Sequence, residues 1–136
     1  ILRYRLAMGG FINNRSVPLA DRVHFNGNAS QLANEYLNSF QLLSLYKLSH
    51  IESFYTLGHI EYNLKGFLTN KIPLVKKLKP YLVLGANACY ISTTRNHWEW
   101  FVGADNLLKQ IRIDYVVGYQ PSGIRLTGIR IGVKGL

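Results

Sequence analysis

The sequence predicts an all-β fold: an antiparallel meander of six or seven strands forming part of a transmembrane β-barrel, with short helical turns in its connections. Three observations predict it. Apolar residues recur at every second position through most of the chain, in segments near the roughly 9–11 residues that a tilted strand needs to cross the hydrocarbon layer. Tyrosine and tryptophan gather near the ends of the apolar faces, at Tyr46, Tyr90, Trp98, Trp100 and Tyr119, as interfacial girdles do. The opposite faces mix glycine with charges of both signs, which suits a crowded polar lumen. Alternation alone leaves a second architecture open, a water-soluble β-sandwich or lipocalin-like barrel whose apolar face is the buried one.

The first strand is expected over residues 2–8, with Leu2, Tyr4, Leu6 and Met8 on one face and Arg3, Arg5 and Ala7 on the other. The long connection that follows, residues 10–40, is rich in Asn, Ser and Gly. Leu32, Tyr36 and Phe40 recur within it every four residues, which predicts a short helix. Residues 41–48 are a further strand candidate. Residues 58–65 set Ile60, Tyr62 and Leu64 against His59, Glu61, Asn63 and Lys65. Next comes GFLTNKIPLVKKLKP, residues 66–80, where a Thr-Asn start, Pro73 near the first turn and Pro80 at the end predict a short basic helical turn. Residues 81–91 and 98–104 are strands, the second alternating more weakly. DNLLKQ, residues 105–110, predicts another helical turn, because an Asx residue precedes an apolar-basic run. Residues 111–120 place Ile111, Ile113, Tyr115, Val117 and Tyr119 opposite Arg112, Asp114, Val116, Gly118 and Gln120; residues 129–134 close the series. Short structured turns alternating with longer polar loops predict the two unlike sides of an outer-membrane barrel.

Composition narrows the partners. Sixteen Lys and Arg against seven Asp and Glu give a net charge of +9 over 136 residues, a balance that suits nucleic acid, an anionic membrane surface or a polar lumen. Nine Tyr, six Phe and two Trp, a charged fraction of 17% and no long Lys/Arg-only block argue against a nucleic-acid arm. The lone Cys89 permits no internal disulfide and no cysteine zinc site. No apolar run is long enough for a spanning helix. The chain opens at Ile1 in strand-like alternation without an initiator Met, so it is expected to be a portion of something longer.

Several motifs occur in a fixed order: His24, Phe25, Asn26, Gly27 and Asn28 (HFNGN), LNSF at 37–40, NKIPL at 70–74, Asp105 to Lys109 as an acidic-Asn-hydrophobic-Lys turn, Arg112 to Asp114, and GIRIGVKG at 128–135. In these the chain resembles the C-terminal part of the Bacteroidota outer-membrane β-barrel family of unknown function whose full-length members carry an N-terminal carboxypeptidase-regulatory-like domain, a family similar in its C-terminal half to the BamA-like barrel superfamily. The resemblance implies a partial barrel in the cell outer membrane, contacting outer-membrane lipid, with the N-terminal domain and first strands absent. Where the family pattern has a second His, this chain reads His59-Ile60-Glu61-Tyr62.

The candidate polar cluster of the lumen is His59, Glu61, Lys65, Arg112, Asp114 and Arg130. His59 and Glu61, two apart, share a strand face and could in principle give two metal ligands or an acid/base pair, but no third ligand lies nearby in sequence, so lumen pairing is the expectation. The Gly and Asn of HFNGN suit a tight loop with left-handed residues. Cys89 has no neighbouring base, and phosphate-binding, nucleophile-elbow and HExxH motifs are missing. The expected function is therefore non-enzymatic and without cofactor: barrel closure, with transport, insertion or secretion support in view and envelope protein partners open. The alternative is a soluble barrel or sandwich binding a small apolar or anionic ligand.

Overall fold

In a computed structural model, residues 1–10, 18, 22, 24–33, 35–44, 48, 54–65 and 80–133 are described. They contain six strands: β1 (Leu2–Gly9), β2 (Tyr55–Asn63), β3 (Tyr81–Ser92), β4 (Arg95–Leu107), β5 (Ile111–Tyr119) and β6 (Arg125–Val133). All lie in one open sheet in chain order, each antiparallel to the next. The all-β meander read from the alternation is present.

Pairing lines the side chains up in rows across the sheet. One row runs Leu2, Tyr62, Leu84, Val102, Tyr115, Ile129, and the next parallel to it runs Tyr4, Ile60, Ala86, Trp100, Val117, Thr127. Rows on the other face read Arg3, Glu61, Gly85, Phe101, Val116, Gly128 and Arg5, His59, Asn87, Glu99, Gly118, Leu126. Because side chains alternate strictly, a one-residue slip would exchange these two faces, so the two-sided composition fixes the register.

The covered face, not the apolar one, holds the core. A strap formed by residues 24–33 and 35–44 lies over it, and Phe25, Phe40 and Leu43 pack on Cys89 and Ile91 while Tyr36 packs on Val83, Phe101 and Val116. The opposite, open face leaves Tyr4, Leu6, Ile60, Tyr62, Trp98, Tyr115, Ile129 and Ile131 substantially exposed.

Several local expectations are corrected. Residues 105–110 form no helical turn: β4 continues to Leu107, and Asn106, Leu108 and Lys109 take φ of 64°, 50° and 71°, left-handed values that no right-handed helix can use. Lys109 N–H and Gln110 N–H instead donate to the Asn106 and Leu107 carbonyls in a tight turn. Leu32, Tyr36 and Phe40 do not share a helix; each contacts a different part of the sheet, and a single turn at residues 36–38 interrupts the strap. Residues 41–44 are not a strand either, because the backbone of Gln41 and Leu42 is held by side chains of the sheet. The remainder of that candidate strand, residues 45–47, the basic turn at 66–79 and the last residues 134–136 lie outside the described residues. Short connections occur at both ends of the sheet, residues 93–94 and 120–124 at one and 108–110 at the other, so turn length does not separate the two sides as expected.

Candidate functional site

The polar residues of the covered face gather into two connected groups, each built where a strand row meets the strap. In the first, Glu61 on β2 accepts from Arg3 on β1 and, at 2.6 Å, from Nη1 of Arg112 on β5. Arg112 Nε donates to Asp114 Oδ2 at 2.7 Å, and the same oxygen accepts the Tyr36 hydroxyl proton at 2.8 Å. The guanidinium of Arg112 also lies 4.1 Å from the centre of the Tyr36 ring, a cation–π contact. Burial and the adjacent Asp114 carboxylate push the Tyr36 phenol well above the usual tyrosine range. Sequence position placed Glu61, Arg112 and Asp114 in one cluster, and the structure brings these three together.

The second group centres on Glu99, 0% exposed. Its Oε1 accepts the backbone N–H of Gln41 at 2.7 Å and Asn87 Nδ2 at 2.8 Å; Oε2 accepts Leu42 N–H at 3.0 Å and faces His97 Nε2 at 3.2 Å. His59 Nδ1 pairs with Asn87 Oδ1 at 3.0 Å, so His59, Asn87 and Glu99 form one polar chain across β2, β3 and β4. The rings of His59 and His97 flank Phe40 of the strap at 5.1 and 5.5 Å. From β6, Arg130 donates twice to the Gln41 carbonyl, at 2.9 and 2.6 Å. One peptide stretch of the strap is thus gripped from both sides, its N–H groups by a carboxylate and its C=O by a guanidinium, which satisfies buried polar groups of strap and wall together.

The remaining candidates separate. His59 and Glu61 share a face but not a partner. Arg130 serves the strap and does not join Glu61, and Lys65 is exposed beyond β2 with φ 49°. In HFNGN the residues stay out of the left-handed region. Gly27 is needed for space instead: a Cβ there would strike the Leu43 carbonyl. Asn28 is buried, its Oδ1 accepting Ser30 N–H at 2.8 Å and its Nδ2 donating to the Leu32 carbonyl at 2.6 Å, and Phe25 joins the core. The candidate cluster left out Arg3, although its place on the polar face of its strand was read, and sequence reading missed Tyr36, Gln41, Asn87, His97 and Glu99 as members of the site. The alternation of His97-Trp98-Glu99-Trp100 was the available signal for His97 and Glu99; nothing local marks Tyr36 or Gln41, whose roles depend on the strap's path.

Glycines complete the wall. At Gly85 a Cβ would overlap the Phe101 ring and the Ile60 carbonyl, and at Gly103 it would overlap the Asp114 carboxylate, so large side chains lie across neighbouring backbone that only glycine leaves clear. Chemically, both oxygens of Glu61 and of Glu99 are engaged by donors of the chain itself, Cys89 sits among apolar side chains, and no group of three metal-ligating side chains occurs among the described residues. The arrangement is one of internal anchoring.

Residues 1–104, which take in β1, the strap, β2, β3 and most of β4, match the family described as "Family of unknown function (DUF5686) C-terminal domain". No curated protein and no solved structure matches the chain.

Proposed function

The chain belongs to the DUF5686 family of unknown function through its C-terminal domain, and from that premise we propose that it is a non-enzymatic segment of an outer-membrane β-barrel, with its open face against lipid and its covered face toward the lumen. One observation carries the proposal. Among the described outward positions of the six strands Arg125 alone is charged, and it stands at the end of β6. Six strands about 4.8 Å apart and about 25 Å of apolar strand length give an open apolar face on the order of 600 Å², as large as or larger than the largest apolar patch of most water-soluble monomers. A soluble barrel would have turned this face inward and the Glu61–Arg112–Asp114 and Glu99 groups outward; the burial is the reverse.

Position along the strands supports the same reading. The apolar rows are bordered at one end by Thr56, Tyr90, Asn96, Trp98, Tyr119 and Arg125, where the Trp98 and Tyr119 rings stack at 4.2 Å, a composition suited to the head-group level. The landmarks that resemble Bacteroidota outer-membrane barrels belong to this proposal, as does a role in barrel closure. The test is made on the full-length protein. It should require detergent for extraction, migrate differently on gels before and after heating, and show Trp98 and Trp100 fluorescence quenched by lipids brominated on their acyl chains. A product that stays freely soluble without detergent refutes the proposal.

A further inference from the structure

Strand β6 is an edge of the sheet, and residues 31–33 of the strap lie against it. Leu32 forms a parallel bridge with Ile131; the Ile131 N–H donates to the Gln31 carbonyl at 3.0 Å, and the Ala33 N–H donates to the Ile131 carbonyl at 2.8 Å. Both backbone groups that Ile131 turns away from β5 are therefore taken. The three side chains also obey the sheet's own alternation. Leu32 is exposed, extending the open-face row Leu82, Ala104, Ile113, Ile131. On the covered side, Gln31 Oε1 lies 3.5 Å from Arg130 Nη1, and Ala33 faces Gly132, where an added Cβ would stand 3.5 Å from its methyl.

We propose that residues 31–33 are a built-in cap on the β6 edge: a three-residue parallel segment of the same chain, bridged to Ile131, that must be displaced before any other strand, the closing neighbour of a barrel included, can pair there. An uncovered edge is a template for wrong pairing in water and an unsatisfied row in lipid, so the cap is useful in either setting. It also differs in kind from a meander neighbour, which would run antiparallel to β6; the parallel direction keeps the cap from being extended into a regular seventh strand without rebuilding the strap.

Cysteine pairs in the full-length protein test this, with Cys89→Ser as background. Leu32→Cys with Ile131→Cys should cross-link readily on mild oxidation, whereas Leu32→Cys with Ile113→Cys, one strand further and beyond disulfide reach, should not. Separately, Ala33→Pro deletes the donor to the Ile131 carbonyl; hydrogen exchange at the Ile131 amide should accelerate about tenfold, the loss of roughly one hydrogen bond, while heat-dependent gel migration is kept. Equal cross-linking of the two pairs, or an Ile131 amide indifferent to Ala33→Pro, overturns the cap. Neither result bears on whether the protein needs detergent, so the cap and the membrane reading fail separately.

Discussion

Replacing Glu99 should release the strap in graded steps, and the structure sets the size of each step. The carboxylate meets four partners: Gln41 N–H and Asn87 Nδ2 on Oε1, Leu42 N–H and His97 Nε2 on Oε2. In Glu99→Gln one oxygen becomes an NH₂ donor. Placed at the Oε2 position, it sacrifices the Leu42 N–H and keeps the His97 contact once the ring takes the tautomer that presents Nε2 as acceptor; the loss is one hydrogen bond to a charged acceptor, about 1.5–3 kcal/mol. Placed at Oε1 it opposes two donors, so the first orientation wins. Glu99→Ala leaves all four groups buried without their acceptor and should cost about 3–5 kcal/mol or more. Urea unfolding in detergent gives the totals. Cys89 gives the local answer, because it is buried under Phe25, Phe40 and Leu43: labelling by a water-soluble thiol reagent should be slow in the native chain, faster in Glu99→Gln and fastest in Glu99→Ala. If Glu99→Ala unfolds at the native urea concentration, or if Cys89 labelling does not follow the order of the variants, Glu99 does not hold the strap.

Three further outcomes follow from the same geometry. Tyr36→Phe keeps the ring on Phe101 and Arg112 but deletes the bond to Asp114, and should cost about 1.5–3 kcal/mol near neutral pH by chemical denaturation. Because the Tyr36 pKa is raised in the fold, the native state keeps a proton that the unfolded chain gives up above about pH 10; stability should fall as pH rises through that range, and Tyr36→Phe should remove this part of the slope in alkaline unfolding curves. Gly85→Ala forces a methyl into the Phe101 ring and should cost about 1–3 kcal/mol, relieved in part by Gly85→Ala with Phe101→Leu in a double-mutant cycle. Ile113→Arg puts a charge in the open face and should lower folding stability in lipid vesicles by about 2–4 kcal/mol, while Arg125→Lys at the strand end changes little.

What was legible in the sequence was whatever depends on neighbours two residues apart. The strands of Leu2–Gly9, Tyr81–Ser92 and Ile111–Tyr119 were read almost to their ends, because each carries a full two-faced pattern. β6 was read from residue 129, although it begins at Arg125; Arg125 and Thr127 interrupt the apolar face, and pairing with Tyr119 and Val117 extends the strand regardless. The strap defeated local reading. Leu32, Tyr36 and Phe40 have helical spacing, yet Leu32 is spent on the edge of β6, Tyr36 on Asp114 and Phe40 on the two histidines, contacts separated by tens of residues that no window can contain. The turn after β4 failed differently: an Asx followed by Leu, Leu and Lys has good helix propensity, and a tight strand reversal overrode it with three left-handed residues.

The basic excess also changes meaning once its members are placed. Within the strands Arg3, Arg5, Arg112 and Arg130 share the covered face with Glu61, Glu99, Asp105 and Asp114. Arg3 and Arg5 are exposed on β1 while the four carboxylates are buried; a buried carboxylate left unpaired costs several kcal/mol, and the pairing of Glu61 with Arg3 and Arg112 and of Asp114 with Arg112 offsets that cost. Among the other described residues, Lys65 and Lys109 lie in the connections and Arg95 and Arg125 at strand starts. An open face whose one charge among the described strand positions stands at a strand end is the distribution that the proposed lipid-facing wall requires. On that proposal it is charge position, not charge amount, that argues against a nucleic-acid partner.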